Sequence, residues 1–152
     1  MRASSILALG AAALVSAAPA APAPLEERAD LGEFNVTNFV FGCTSGCYWY
    51  FDVTVGPKSS HHPAVTKPVH CEGNLDDNKS FTDGTCADFS DNKAIRAYIG
   101  PKGRLNLQYE VNFPKEGSTY WYQGGKKVGA QTSDNPSPAQ FTVPEAKASA
   151  IA

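Results

Sequence analysis

The sequence predicts an all-β domain, an antiparallel β-sandwich or flattened β-barrel of about seven or more short strands clipped by disulfides, and three observations carry that expectation. Between residues 33 and 143 the apolar residues recur with period two rather than 3.6. Thirteen glycines and eleven prolines among 152 residues supply many turns and leave no convincing ten-residue helix after the N-terminal region. Four cysteines are too few for a disulfide-dense miniprotein, so a hydrophobic core carries the fold and disulfides assist it.

At the N-terminus, Arg2 precedes an apolar run from Ile6 to Val15 that is too short to span a bilayer, and Val15-Ser16-Ala17 offers acceptable residues to a signal peptidase. Residues 1–17 are therefore expected to be a secretory signal peptide. Residues 18–28 are Ala/Pro-only as far as Pro24 and end in Leu25-Glu26-Glu27-Arg28; they read as a linker or as a pro-segment trimmed at Arg28. A single β domain is expected over 29–144, with the Ala-rich residues 145–152 as a flexible tail. No second apolar stretch would retain the chain in a membrane, so the expected location is secreted and extracellular.

Within the domain, Phe34 and Val36 alternate with Asn35 and Thr37, and Trp49, Phe51, Val53 and Val55 alternate with Tyr48, Tyr50, Asp52 and Thr54. The clearest run sets Leu105, Leu107, Tyr109, Val111 and Phe113 against Arg104, Asn106, Gln108, Glu110 and Asn112. It predicts one apolar and one wet face, with Leu107 and Val111 in the core and Gln108 and Glu110 in solvent. Gly100-Pro101-Lys102-Gly103 predicts a hairpin between 94–99 and that run, and Gly124-Gly125-Lys126 a second hairpin between 119–123 and 127–132. A last short strand is expected over 140–143.

Secretion gives the cysteines their meaning. Cys43, Cys47, Cys71 and Cys86 are even in number on an oxidising route, which predicts two disulfides. Three pairings are open, and the local one, Cys43–Cys47 with Cys71–Cys86, is favoured because its second bridge closes an Asp/Asn-rich stretch that has no core of its own. A four-cysteine zinc site would need two CxxC-like knuckles, which the spacing lacks, so no metal is expected. Asp76, Asp77, Asn78, Ser80 and Asp83 resemble a calcium loop, yet its glycine and glutamate positions hold Phe81 and Ala87.

No catalytic residue and no cofactor are expected. His61-His62-Pro63 sits among Ser, Pro and Lys and reads as a mobile loop. No Gly-x-Ser-x-Gly elbow is present, and Glu110 has no obvious carboxylate partner for glycoside cleavage. A ribonuclease could be built from His70, Glu110 and Arg96 or Arg104, although nothing in the sequence arranges them. Tyr120-Trp121-Tyr122, with Tyr48-Trp49-Tyr50, is the unusual enrichment and marks a candidate binding surface; neighbours on a strand face opposite ways, so only some of these rings can share it. Asn35-Val-Thr and Asn78-Lys-Ser are candidate glycosylation sites. A net charge of −2 gives no electrostatic ground for nucleic acid or an anionic membrane as partner, and a monomer is expected.

Phe34-Asn-Val-Thr-Asn-Phe39, the Cys43 to Cys47 step, Tyr48-Trp-Tyr-Phe51-Asp-Val-Thr-Val55 and the Cys71 to Cys86 spacing together resemble small secreted fungal proteins related to the Alternaria major allergen and the hypersensitive-response-inducing elicitors. The resemblance covers about residues 33–143. It implies an all-β barrel or sandwich and no settled catalytic activity. It also implies an effector-like or elicitor-like, allergen-like protein that recognises a host extracellular protein or a small aromatic ligand. The chain departs from that pattern in having no cysteine after Cys86, so the allergen's later disulfide and its covalent dimer are not expected. The alternatives from other classes are the secreted ribonuclease using His70 and Glu110, and a carbohydrate- or flavonoid-binding module using the aromatic strands.

Overall fold

Period-two patterning becomes seven strands: β1 (Glu33–Cys43), β2 (Cys47–Val55), β3 (Val65–Asn74), β4 (Lys93–Gly100), β5 (Arg104–Phe113), β6 (Ser118–Lys127) and β7 (Phe141–Ile151). The computed structural model describes residues 31–131 and 138–152. The expected signal peptide, the linker with Arg28 and residues 132–137 lie outside the described residues. The strand order is β3-β2-β1-β7-β6-β5-β4 with every pair antiparallel, and the sheet curls into a nearly closed barrel. Of the two expected architectures, the barrel is the one formed.

Parity explains the least regular part of the chain. With six antiparallel pairings in that order, β3 and β4 must run in the same direction, so no hairpin can join them. Residues 75–92 therefore travel back along the barrel. Cys86 lies antiparallel to Cys71, Thr85 accepts from the Glu72 N–H at 2.8 Å, and the Ala87 N–H donates to His70 at 2.8 Å. Residues 85–87 thus act as a stub of strand that covers the β3 edge, and the Cys71–Cys86 disulfide holds it there. On the other side, Thr85 Oγ1 donates 2.6 Å to the Ala97 carbonyl of β4. Both disulfides follow the favoured pairing, Cys43–Cys47 closing the β1–β2 hairpin. The Asp/Asn-rich stretch is a capped turn: Asp83 accepts from the backbone of Lys79 and Ser80 at 2.7 Å each, which uses the carboxylate that a cation would need.

The inward residues fill the barrel. Phe34, Val36, Trp49, Phe51, Val53, Leu105, Leu107, Tyr109, Val111, Tyr122 and Val143 are all essentially inaccessible. Leu107 and Val111 lie in this core as expected. Gln108 does not lie in solvent: it is 9% exposed, held on the outer face between its cross-strand partners Arg96 and Gln123, whose long side chains shield a central strand. Glu110 is half-buried.

Two other expectations fail for a common reason. Gly124-Gly125 is not a turn; β6 runs through it without a break to Lys127. A Cβ on Gly124 would collide with the Pro144 carbonyl of β7, and one on Gly125 would meet the Arg104 guanidinium at 2.9 Å. These glycines permit close approach rather than reversal. Nor do residues 145–152 form a flexible tail, since all but the last continue β7. Residues 141–144 pair with β1, and from Glu145 onward the strand pairs with β6, so the chain end is the seam that joins the barrel's two halves. β3 itself was not apparent in the sequence, because Pro68 and its exposed neighbours Thr66 and Lys67 interrupt the alternation of Val65, Val69 and Cys71.

Candidate functional site

The three histidines each meet a carboxylate, in three different environments. His62 is not in a mobile loop. Its side chain and that of Glu145 are both 0% exposed, and Nε2 lies 2.8 Å from Glu145 Oε1. Glu145 Oε2 accepts the Gly32 N–H at 2.7 Å, and the Glu145 N–H donates to the Gly32 carbonyl at 3.0 Å. Tyr109 and Tyr122 stand edge-on to the imidazole. Their hydroxyls donate to the Pro63 and His61 carbonyls at 2.9 and 3.0 Å. Burial, and then the nearby Tyr122 and Glu145, push the Tyr109 phenol well above its ordinary range, so it remains a donor. The segment around His62 is therefore pinned into one end of the barrel. With neither side chain of the pair open to solvent, the arrangement can hold the fold but cannot meet a substrate.

His61 is half-exposed at that same end. Its ring stacks on Tyr120 at 4.5 Å, meets Phe113 edge-on, and places Nε2 3.6 Å from Glu116. The predicted surface Tyr120-Trp121-Tyr122 is thus split three ways. Tyr122 is core, Tyr120 is half-buried under His61, and Trp121 is half-buried on the outer wall with Nε1 donating to Glu110 at 3.1 Å. Glu110 also faces Arg96 at 3.6 Å. Its contacts are with these two residues and not with His70.

His70 belongs to a different surface, on the outer face of β2 and β3. Its Nδ1 lies 2.9 Å from Asp52 Oδ1 and its Nε2 3.6 Å from Glu72. Asn38, at the register break in β1, donates 2.8 Å to Asp52 Oδ2. That amide first, and His70 second, hold the Asp52 carboxyl below the ordinary carboxylate value. In register, Tyr48 faces Asn74, Tyr50 faces Glu72 and Asp52 faces His70. Tyr48 and Tyr50 are 49% and 39% exposed, and among the described residues the one other large exposed apolar side chain is Ile151 near the chain end. The Tyr48 ring lies across β1 at Gly42, where a Cβ would come within 3.0 Å of it. The missing side chain of Gly42 lets the ring rest on the sheet. In the sequence these tyrosines stand out less than the β6 triplet. Alternation alone already marked Tyr48 and Tyr50 as the outward pair, since Trp49 and Phe51 take the core.

Charge is distributed unevenly around this face. Residues 31–92 carry eight acidic and three basic side chains, whereas residues 93–131 carry seven basic and two acidic ones. β1 and β2 contain no Lys or Arg, and β3 contains Lys67 alone. Among the described residues, no group of three or more His, Cys, Asp or Glu is placed to hold a metal ion. A cleft of about 240 Å³ opens between the 84–88 stub and β4, lined by Cys86, Asp88, Lys93, Ile95 and Arg96 among others. Of the sequons, Asn35 is half-buried between Thr54 and Thr142, and Asn78 is half-buried with Oδ1 accepting the Asn74 N–H. No family, no curated protein and no solved structure matches the chain.

Proposed function

We propose that this is a secreted, non-enzymatic, effector-like or elicitor-like protein that recognises a host extracellular protein or a small aromatic ligand through the outer face of β1–β3. The observation that carries the reading is the exposed pair Tyr48 and Tyr50, on one face of a strand whose other face is buried. Tyrosines on a rigid scaffold offer contact area at little entropic cost. Two disulfides in so small a chain fit an oxidising compartment, which agrees with the N-terminal reading. No helix of the described residues is long and apolar enough to cross a membrane. The resemblance to fungal allergen-like and elicitor proteins points to the same class.

A hydrolase is the second reading, and the Asp52–His70 pair favours it, because a carboxylate that orients an imidazole is what a general base requires. The surroundings disfavour it. Glu72 stands by the second ring nitrogen, and no Arg or Lys of β1 or β2 is available to take the charge of a phosphate or an oxyanion. The test is to infiltrate purified protein into leaves beside a reduced and alkylated control, and to assay the same preparation on RNA. A leaf response from the intact protein without RNA cleavage is expected. RNA cleavage that His70→Ala abolishes would replace the recognition reading with the enzymatic one.

A further inference from the structure

We propose that the outer face of β1–β3 docks a lysine- or arginine-bearing extended segment of a partner protein, a proposal that rests on the recognition reading of that face and narrows its partner. Two independent features of the surface select this chemistry. The first is charge. Glu72, 75% exposed, stands directly across from Tyr50, and Asp52 stands two residues further along β2. Asp77 lies beyond the end of β3, its carboxylate accepting from Asn74 at 2.8 Å. Against these, β1–β3 carry the His70 imidazole and, past Pro68, the exposed Lys67, and the loop that holds Asp77 carries Lys79. An anionic ligand would meet repulsion here, and a cationic one meets carboxylates that outnumber the basic groups beside them.

The second feature is the rings. Tyr48 lies over Gly42, and Tyr50 is held with its ring centroid 6.3 Å from that of His70. Exposed ring faces attract ammonium and guanidinium groups through their quadrupole. Tyr48 and Tyr50 project from the same side of β2 two positions apart, and alternate residues of an extended peptide repeat at roughly that spacing, about 6.5–7 Å. Acidic and aromatic groups therefore lie side by side on one face of β2 and β3, spaced at the repeat of an extended chain. The opposite side of the barrel has the reverse sign, which leaves this face as the acidic one available to such a partner.

The probe is a fluorescein-labelled decalysine peptide, with decaglutamate as its counterpart, titrated against the intact protein at 50 and 500 mM salt. Binding of decalysine alone is expected, weakening at high salt as exposed charges are screened. Glu72→Gln with Asp52→Asn should weaken it about fivefold, and Glu72→Gln by itself, which leaves the Asn38 and His70 contacts of Asp52 in place, about twofold. Tyr48→Ala with Tyr50→Ala, and separately Gly42→Ala, change no charge and should each weaken binding about two- to fivefold. Glu116→Gln makes the same charge change at the far end of the barrel and should have no effect. Equal weakening by Glu116→Gln would reduce the effect to net charge and overturn the proposal. So would tyrosine variants that bind as the wild type does. Salt-sensitive self-association in the ultracentrifuge that Glu72→Gln abolishes, with no decalysine binding, would assign the face to a second copy of the chain instead.

Discussion

His62–Glu145 and His70–Asp52 are both histidine–carboxylate pairs at nearly the same distance, 2.8 and 2.9 Å, one through Nε2 and one through Nδ1, placed in opposite surroundings. The first is sealed inside the barrel, while the second has its histidine half-exposed. Burial decides what each pair can do. A sealed pair can only hold strands together, and breaking it strands a polar group where water cannot reach. An open pair adds little to stability because water competes for both partners, yet it is free to meet a ligand. A histidine beside a carboxylate is therefore no sign of function until its exposure is known.

The largest effect expected from this contrast is at the buried pair. Glu145→Ala should destabilise the fold by about 3–5 kcal/mol in urea unfolding, because it removes the partner of both His62 and the Gly32 N–H. A loss below about 1 kcal/mol would mean that water reaches the site. Leu107→Ala calibrates that figure against a purely apolar deletion and should cost roughly 2–5 kcal/mol. If Glu145→Ala proved much milder than Leu107→Ala, the pair would be a tolerated feature of the core rather than a pin.

The disulfides sharpen the comparison on the open side. Cys71–Cys86 closes a longer loop than Cys43–Cys47, with sequence separations of 15 and 4. Its paired Cys→Ser variant should lose about 3 kcal/mol, against about 2 for the hairpin bridge. Melting the two variants side by side checks the order, and a larger loss at the hairpin would contradict the role given to the 85–87 stub in covering β3. The smallest effect is at the open pair. Asp52→Asn should cost less than about 1 kcal/mol at neutral pH. Because the folded protein holds the Asp52 carboxyl below its ordinary value of 3.8, its contribution is present above that value and disappears as pH falls from there through the lower folded-state value. The gap between wild type and Asp52→Asn should close over that acid range; a gap that widens there would reverse the sign of the interaction.

Alternation made much of this legible. The core faces of β2, β5 and the start of β1 follow from period two, and compartment with the coreless Asp/Asn-rich stretch favours the disulfide pairing that forms, without excluding the other two. What alternation could not supply is any feature that depends on which strands become neighbours. Glu145 reads as the start of a polar, alanine-rich end, and only the β1–β7 seam turns it inward onto His62. Gly124-Gly125 reads as a turn because glycine's use for close approach shows only when Pro144 and Arg104 are in place. Gln108 reads as wet because the side chains that cover it come from β4 and β6. The outward tyrosines of β2 were within reach of sequence reasoning, whereas the Gly42 seat beneath Tyr48 was not, since it lies across the hairpin.

With recognition proposed for the open face and stability held by the sealed pair, the measurement that tests this division most directly is the leaf response to the Tyr48→Ala, Tyr50→Ala double variant at the wild-type dose. Both side chains point outward, so the variant should melt with the wild type to within about 1 kcal/mol. This folded variant is expected to elicit no response, while a folded Trp121→Ala variant, altered on the basic side of the barrel, is expected to elicit the full one. A full response from the double tyrosine variant, or a response lost only in Trp121→Ala, would contradict that division.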